Sequence, residues 1–492
     1  MRFRILGIWL AALMGALALY TPFVNAPYFS DDLLFYFTPP AQHWYLYFGK
    51  AAVVFHAYRP LEAIVLSTIQ SHLRFDTWPI HVIALAAHAG LCCVIWLAAI
   101  RLRFKPSEAF VASALMLVSQ VAEPALLGND TLSQVVSAFL GASSMWLLSK
   151  PLVEGKAGSS LSTARLAASI GCYLASLFFK ETALGFLLVA GLLTCFIALR
   201  ETTWGRRLLS LARLLLPYGL ATGLYLLARI HAGGPVSSSG DYRLNVGMNG
   251  LRNLGLFLFA SLNPFSTVTT AVSAELRDED TLLIVIGTVS FLAIVILTGV
   301  LTSSRKILSL ILLACAAGAL FPAFLLQHIS ELYLYNAFPF LALLFAGAFG
   351  SLWRRGKAVR VVVVICLGVM FCGQVIAVRQ KSSLMYKNGQ TAAGMRATLS
   401  PYIEKLPPHS TVLLVRNNPP APRYSVFLLN GLDVLEYGAP KLGPMYGRPD
   451  VDVRIVNGSD IPFIRADDHI LILALQGGVL RPFQTPIAAA LR

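Results

Sequence analysis

Residues 79–105 read PIHVIALAAHAGLCCVIWLAAIRLRFK. About twenty apolar positions, enough for a helix to cross a hydrocarbon core, end in Arg101, Arg103 and Lys105, as a membrane span stopped by a basic connection does. Working outward, runs of this kind recur at 5–26, 80–100, 108–127, 132–149, 164–179, 183–199, 209–230, 281–302, 307–326, 334–352 and 359–379. The composition agrees: 57% of the 492 residues are hydrophobic and only 13% charged, far from the roughly 25% charged of a soluble domain. Mean hydropathy is +0.68. The runs are too long and too uniform for barrel strands, so the chain reads as a mainly α polytopic membrane protein with about eleven transmembrane helices.

The net charge of +15 would suggest nucleic acid in a soluble protein. Here the basic residues cluster in short connections: Arg2/Arg4, Arg101/Arg103/Lys105, Lys150/Lys156, Arg200/Arg206/Arg207, Arg305/Lys306 and Arg354/Arg355/Lys357/Arg360. These fall in every second connection, which reads as topology with the N-terminus cytoplasmic and excludes nucleic acid as a partner. Residues 1–20 resemble a signal peptide but lack a small-x-small cleavage site before Asp31, so they read as a retained first helix. The seven cysteines all lie in apolar runs and read as small hydrophobes, not as a disulfide framework or a zinc site.

The opposite connections then face outward and hold the unusual polar chemistry: Asp31/Asp32, Arg59, Glu62, Glu123, Asp130, Lys180/Glu181, Asp241/Arg243 and His328/Glu331. Between Tyr28 and Trp78 the chain is rich in aromatics, and its apolar stretch 51–70 is broken by His56, Arg59, Pro60 and Glu62, as in segments that lie in the interface. A piece at 251–262, ended by Asn263-Pro264, is too short to span and reads as a juxtamembrane or re-entrant helix. From about Ser382 the pattern changes to short β-favouring runs, Thr411–Val415, Ser425–Leu429, Val451–Val456 and His469–Leu473, separated by Pro, Gly, Asn and Asp. The expected division is a transmembrane domain over 1–380 and a small α/β extracytoplasmic domain over 381–492. Gly477-Gly478 reads as a turn, not a phosphate cradle.

Asp31-Asp32 follows the first span amid aromatic residues. A half-desolvated carboxylate has raised proton affinity, which suits a general base; two adjacent ones could instead hold a divalent cation, or simply be a solvated loop. Arg59, in apolar surroundings, could grip a phosphate through two parallel hydrogen bonds, or pair with Glu62 three residues on. Lys180 could neutralise a lipid phosphate with Glu181 positioning it, or the two could close a helix end. The stretch Gln327-His328-Ile329-Ser330-Glu331-Leu332-Tyr333-Leu334-Tyr335 opens a span from the same face. Glu123 and Asp130 flank a short turn, where a helix cap would explain Asp130.

The order Asp31-Asp32, Tyr58-Arg59-Pro60-Leu61, Pro79-Ile80-His81 with His88, Glu123 with Asp130, Lys180-Glu181-Thr182, and Glu331 ahead of Tyr333-Leu334-Tyr335 resembles the C-type (GT-C) membrane glycosyltransferases. It is similar above all to their protein O-mannosyltransferase and TPR-bearing transmembrane mannosyltransferase branch, over about residues 1–380. Leu332 and Ala84 depart from the arginine and asparagine common at those places, and no TPR-like repeat is present. The resemblance implies a GT-C-like bundle with outward juxtamembrane helices. It implies a polyprenyl-phosphate sugar donor, an acceptor hydroxyl on protein, lipid or polysaccharide, inversion at the sugar, and residence in a bacterial plasma membrane. Carried onto matching positions, Asp32 or Asp31 is the base, Arg59 and Lys180 bind the carrier phosphate, and Glu62, Glu123, Asp130, Glu181, His328, Glu331 and Tyr333 support the pocket. The one cofactor left open is a divalent cation that the acids could hold.

Two readings from other classes remain: a transporter or flippase of lipid-linked sugars, and a scaffold. A transporter places ionisable residues near the bilayer midplane. Here the acids and bases gather at one face.

Overall fold

The computed structural model describes residues 2–37, 43–54, 57–150, 162–199, 201, 203–234, 247–327, 329–416, 426–458 and 469–483. Its helices are α1 Arg2–Tyr20, α2 Pro60–Leu73, α3 Trp78–Arg101, α4 Pro106–Val118, α5 Glu123–Leu127, α6 Leu132–Leu148, α7 Thr163–Phe179, α8 Gly185–Ala198, α9 Trp204–His231, α10 Met248–Leu262, α11 Thr267–Leu276, α12 Glu279–Leu301, α13 Lys306–Phe324, α14 Phe338–Trp353, α15 Lys357–Lys405 and α16 Leu442–Met445. Prolines stand at the first or second position of several of them, at Pro60, Pro106 and Pro124, where the missing N–H would have no helical partner anyway.

Among the described residues, seven helices are long and apolar enough to cross a membrane, eight if α4 and the bent segment after it count as one span. Leu132–Leu148, Thr163–Phe179 and Phe338–Trp353 are shorter apolar helices. Each expected apolar run therefore contains helix, but the expected eleven spans are not matched by eleven helices of full length.

Two departures shape the site. The run 108–127 is not one straight helix: it bends by 46° between Val118 and Gln120. Backbone groups freed in apolar surroundings need other partners, and side-chain amides supply them. Gln120 N–H donates to Gln374 Oε1 (2.6 Å), while Gln120 Nε2 donates to the carbonyls of Asn263 (2.8 Å) and Phe265 (2.6 Å). The second departure is α15, which does not stop near 379 but continues unbroken to Lys405. Gly389 lets it approach Pro27, whose carbonyl oxygen would lie 2.6 Å from any added Cβ. That contact holds the segment leading into Asp31 against the long helix.

The stretch 51–70 divides: Val53–Val54 (β1) and Ala57–Tyr58 (β2) form a small antiparallel pair, and α2 follows. The 251–262 piece is helical within α10. The C-terminal strands are β3 Thr411–Arg416, β4 Asp452–Asn457, β5 Ile470–Gln476 and β6 Val479–Pro482, in the order β4-β3-β5-β6. β3 is parallel to both neighbours, and its continuous apolar run suits a central parallel strand. Gly477-Gly478 is a turn, joining the antiparallel β5–β6 hairpin with φ of +58° and +82°. The described part of the expected strand Ser425–Leu429 is not a strand. Asn388 Nδ2 of α15 instead donates to the carbonyl of Val426 (2.9 Å) and lies 3.3 Å from that of Phe427, tying the segment to the helix. One apolar core runs from the spans through Met385 and Leu399 of α15 to Val412, Leu414 and Leu473 of the sheet.

Candidate functional site

Asp31 and Asp32 lie in the first turn of a short 3-10 helix, Ser30–Phe35. Ser30 before them has φ +52°, a left-handed conformation costing a non-glycine residue roughly 1 kcal/mol or more, of the kind that gathers at functional sites. The turn between α5 and α6 closes on this helix. Asp32 Oδ1 accepts from the backbone N–H groups of Asn129 (2.9 Å) and Asp130 (3.2 Å), and Oδ2 accepts from Asn129 Nδ2 (3.0 Å). Gly128 makes the turn possible, since a Cβ there would meet Thr131 Oγ1 at 2.5 Å.

Asp31, Asp32 and Asp130 each present an oxygen within 4.8 Å of the others. Asp32 is 2% exposed and Asp31 half-buried. Burial, followed by the charge of Asp130, pushes the Asp31 carboxyl up to about 7, and Lys180 works against that shift. The same two causes hold Asp32 well above the usual carboxylate range. Three close oxygens are also the donor type that hard divalent cations take, so the residues fit such an ion.

The cations stand on the other side of the cluster. Arg59 grips Glu181 through Nε (3.2 Å) and Nη2 (3.0 Å), reaches Glu62 through Nη1 (3.4 Å) and lies over the Phe35 ring at 5.3 Å. It therefore pairs with Glu62, as its spacing allows, but more closely with an acid 122 positions away. Glu62 is fully buried, and its Oε1 accepts from Ser133 N–H at 3.0 Å, capping α6 from another helix. Asp130 makes no such cap; its own backbone N–H serves Asp32. Burial pushes the Glu62 carboxyl up to about 7, opposed by Arg59.

Lys180 does not pair with Glu181. It is 3% exposed, and its Nζ has neither hydrogen bond nor ion pair among the described residues. Burial, then the charge of Arg59, brings its amine down to about 8. Its electrostatic neighbours include Asp130, Glu62 and Glu181, and it acts on Asp31 as well, so it joins the acid cluster to the Arg59 group.

The remaining expected residues form a second group. Glu331 accepts from Lys381 Nζ at 2.6 and 2.7 Å and from Thr267 Oγ1 at 2.9 Å. Glu123 lies in electrostatic contact with Lys381 and Glu331, and its carboxylate oxygens have no hydrogen-bond partner among the described residues. Tyr333 is buried in the 3-10 helix Glu331–Asn336. His328 lies outside the described residues, as do His56, Asp241 and Arg243. His81 and His88 are core histidines, their rings hydrogen-bonded to Val24 and Leu127 carbonyls and to Tyr335 and the Leu117 carbonyl.

Sequence reasoning missed Asn129, which looks like an ordinary turn residue, and Lys381. The signal for Lys381 was present: it ends a span on the face that the charge pattern marks as poor in Lys and Arg.

No family model matches the chain, and no curated protein matches it by sequence. Solved structures do. ArnT from Cupriavidus metallidurans in the apo state is 13% identical, with a TM-score of 0.51 over 92% of this chain and 86% of that one. The same protein bound to undecaprenyl phosphate gives 12% and 0.48 over the same shares. The Archaeoglobus fulgidus oligosaccharyltransferase AglB, in complex with an inhibitory peptide and a dolichol-phosphate, gives 12% and 0.47 over 92% of this chain and 64% of that one. The first of these likenesses is one of fold, and it agrees with the expected polytopic helical bundle with a small C-terminal strand unit.

Proposed function

We propose that the chain is a membrane glycosyltransferase of the C type, moving a sugar from a polyprenyl-phosphate carrier to an acceptor hydroxyl at the extracytoplasmic face. One observation carries the reading: three crowded carboxylates, Asp31, Asp32 and Asp130, lie within electrostatic reach of a buried lysine that has no ion-pair partner among the described residues. The order of motifs and the ArnT-like fold support it.

In this reading Asp31 is the base. It is the more accessible of the adjacent pair, and a proton affinity near neutrality suits a group that must accept a hydroxyl proton. Asp32, fixed by three donors, positions the turn and adds negative potential. The acceptor O–H gives its proton to Asp31 and its oxygen bonds to the anomeric carbon. The bond from that carbon to the phosphate oxygen breaks on the opposite face, inverting the centre, and the polyprenyl phosphate leaves with the electron pair and one more negative charge. Lys180, with Arg59 behind it, stabilises that charge in a water-poor setting where it counts most. A divalent cation held by the three carboxylates would add charge stabilisation at the same place.

Residues 1–380 would carry the transfer, and residues 381–492 would face the acceptor. Mannose is the sugar that the motif resemblance suggests, and a bacterial plasma membrane the setting. The transporter reading is not favoured, because Asp31, Asp32, Arg59, Asp130 and Lys180 all lie in connections between apolar helices. The test is reconstituted protein given a polyprenyl-phosphate mannose and a peptide or glycan acceptor. Release of polyprenyl phosphate, lost in Asp31→Asn, supports the reading. Scrambling of the labelled lipid without transfer would sink it.

A further inference from the structure

Arg396, on the part of α15 beyond the apolar run, is 4% exposed yet has no acid beside it. Its guanidinium lies over the Phe75 ring at 4.8 Å, and its electrostatic neighbours are Tyr446, Tyr28 and Tyr36, all aromatic alcohols. No side-chain hydrogen bond or ion pair of Arg396 exists among the described residues, and its Nε is buried without a partner. A buried cation left unpaired is strongly unfavourable unless something else supplies the negative charge.

The surroundings are built to keep it in place. Tyr36 stacks on Phe75 at 5.2 Å, Tyr28 meets Tyr36 edge-on at 5.7 Å, and Tyr446 flanks Phe75 at 6.3 Å. Tyr446 Oη donates to the Arg396 carbonyl (2.9 Å), and Tyr28 Oη accepts from Gln70 Nε2 (3.2 Å). The Tyr36 hydroxyl has no partner among the described residues, and Tyr36 is within electrostatic reach of both Arg396 and the exposed Arg74. Arg396 and Tyr36, whose hydroxyl has no partner among the described residues, thus share the Phe75 ring. Tyr36 directly ends the 3-10 helix that carries Asp31 and Asp32, which sets this group beside the acid cluster.

We infer that Arg396 and Tyr36 form an oxyanion subsite that takes a phosphate-type group next to the acid cluster. Arginine's planar fork matches phosphate oxygens in pairs, and the aromatic walls suit a ligand that carries an apolar portion. The subsite does not depend on the transfer reading. A carrier lipid, a phosphorylated acceptor and a bilayer phospholipid all present this chemistry.

The test is thermal unfolding of the full chain in neutral detergent with three separate probes: inorganic phosphate, undecaprenyl phosphate and phosphatidylglycerol, with undecaprenol as the uncharged control. Binding to the folded state raises Tm, here expected by about 2 °C or more for at least one phosphate probe and not for undecaprenol. The probe that shifts identifies the source. Arg396→Met should cut the shift to no more than the part that Lys180 and Arg59 supply in the reading above and, by removing an unpaired buried charge, raise Tm in anion-free buffer. Arg396→Lys should keep part of the shift, and Tyr36→Phe should weaken it. Absence of a phosphate-specific shift in the wild type overturns the inference, as does an undiminished shift in Arg396→Met. An Arg396→Met protein less stable than wild type without anions would mark the arginine as a cation–π brace only, and would also overturn it. Asp31→Asn, which ends transfer in the reading above, should leave the shift intact.

Discussion

At the two ends of the α4–α5 segment carboxylates meet cations, and they are resolved in opposite ways. Glu108 accepts from Lys105 N–H at 3.0 Å, pairs with Arg354 at 2.7 Å and approaches Arg305 at 4.0 Å, so one acid is matched by two guanidinium groups and a helix-capping bond. Asp31, Asp32 and Asp130 crowd within 4.8 Å with no ion pair among the described residues, near a lysine that stays unpaired. The balanced group clamps α4 to the start of α13 and the end of α14. The unbalanced one holds charge in reserve, and charge in reserve is what a substrate or a proton can use.

The largest expected effect breaks the unbalanced side. Asp31→Asn should lower the transfer rate by about 10³-fold while folding survives, because general-base catalysis is worth that order. It should also stabilise the protein at pH 8. A carboxyl whose folded affinity is raised to about 7 binds more protons folded than unfolded between the usual carboxylate range and pH 7, so stability falls as pH rises through that window. Unfolding midpoints at pH 5 and pH 8 for both proteins check the sign.

Lys180→Met comes next. Removing a buried amine that has no ion pair among the described residues should cost roughly 10²-fold in kcat, with Lys180→Arg recovering part of it. The same variant should move the pH profile. Wild-type activity should rise through about pH 7 as Asp31 gives up its proton, and the inflection should lie higher without Lys180, which now lowers that affinity.

The smallest effect belongs to the balanced side. Glu108→Gln should leave kcat within about threefold and cost about 1 kcal/mol of stability, since Arg354 is 40% exposed and its pairing is screened. A large loss of activity there would erase the contrast between clamp and site.

Much of this was legible in the chain because apolar length and charge order are local properties. The runs from 80–100 to 334–352 are helices, and three of four β-favouring runs are strands. The break at Ser119 was not legible, since nothing in Val118-Ser119-Gln120 forbids a helix; it is made acceptable by Gln374 and Asn263, far away in sequence. The extension of α15 past 379 was hidden because a polar helix lacks an apolar run. Asp31, Arg59 and Lys180 could be proposed from motif order, but their partners could not. Which acid claims Arg59, and that none among the described residues claims Lys180, depends on contacts between residues more than a hundred positions apart.

The most direct test follows release of polyprenyl phosphate from a polyprenyl-phosphate sugar by the reconstituted wild type, Asp31→Asn and Asp32→Asn. The acid cluster predicts acceptor-dependent release by the wild type, its near-complete loss in Asp31→Asn and a large loss in Asp32→Asn. Normal release by both variants, each folded as judged by its unfolding midpoint, would contradict it.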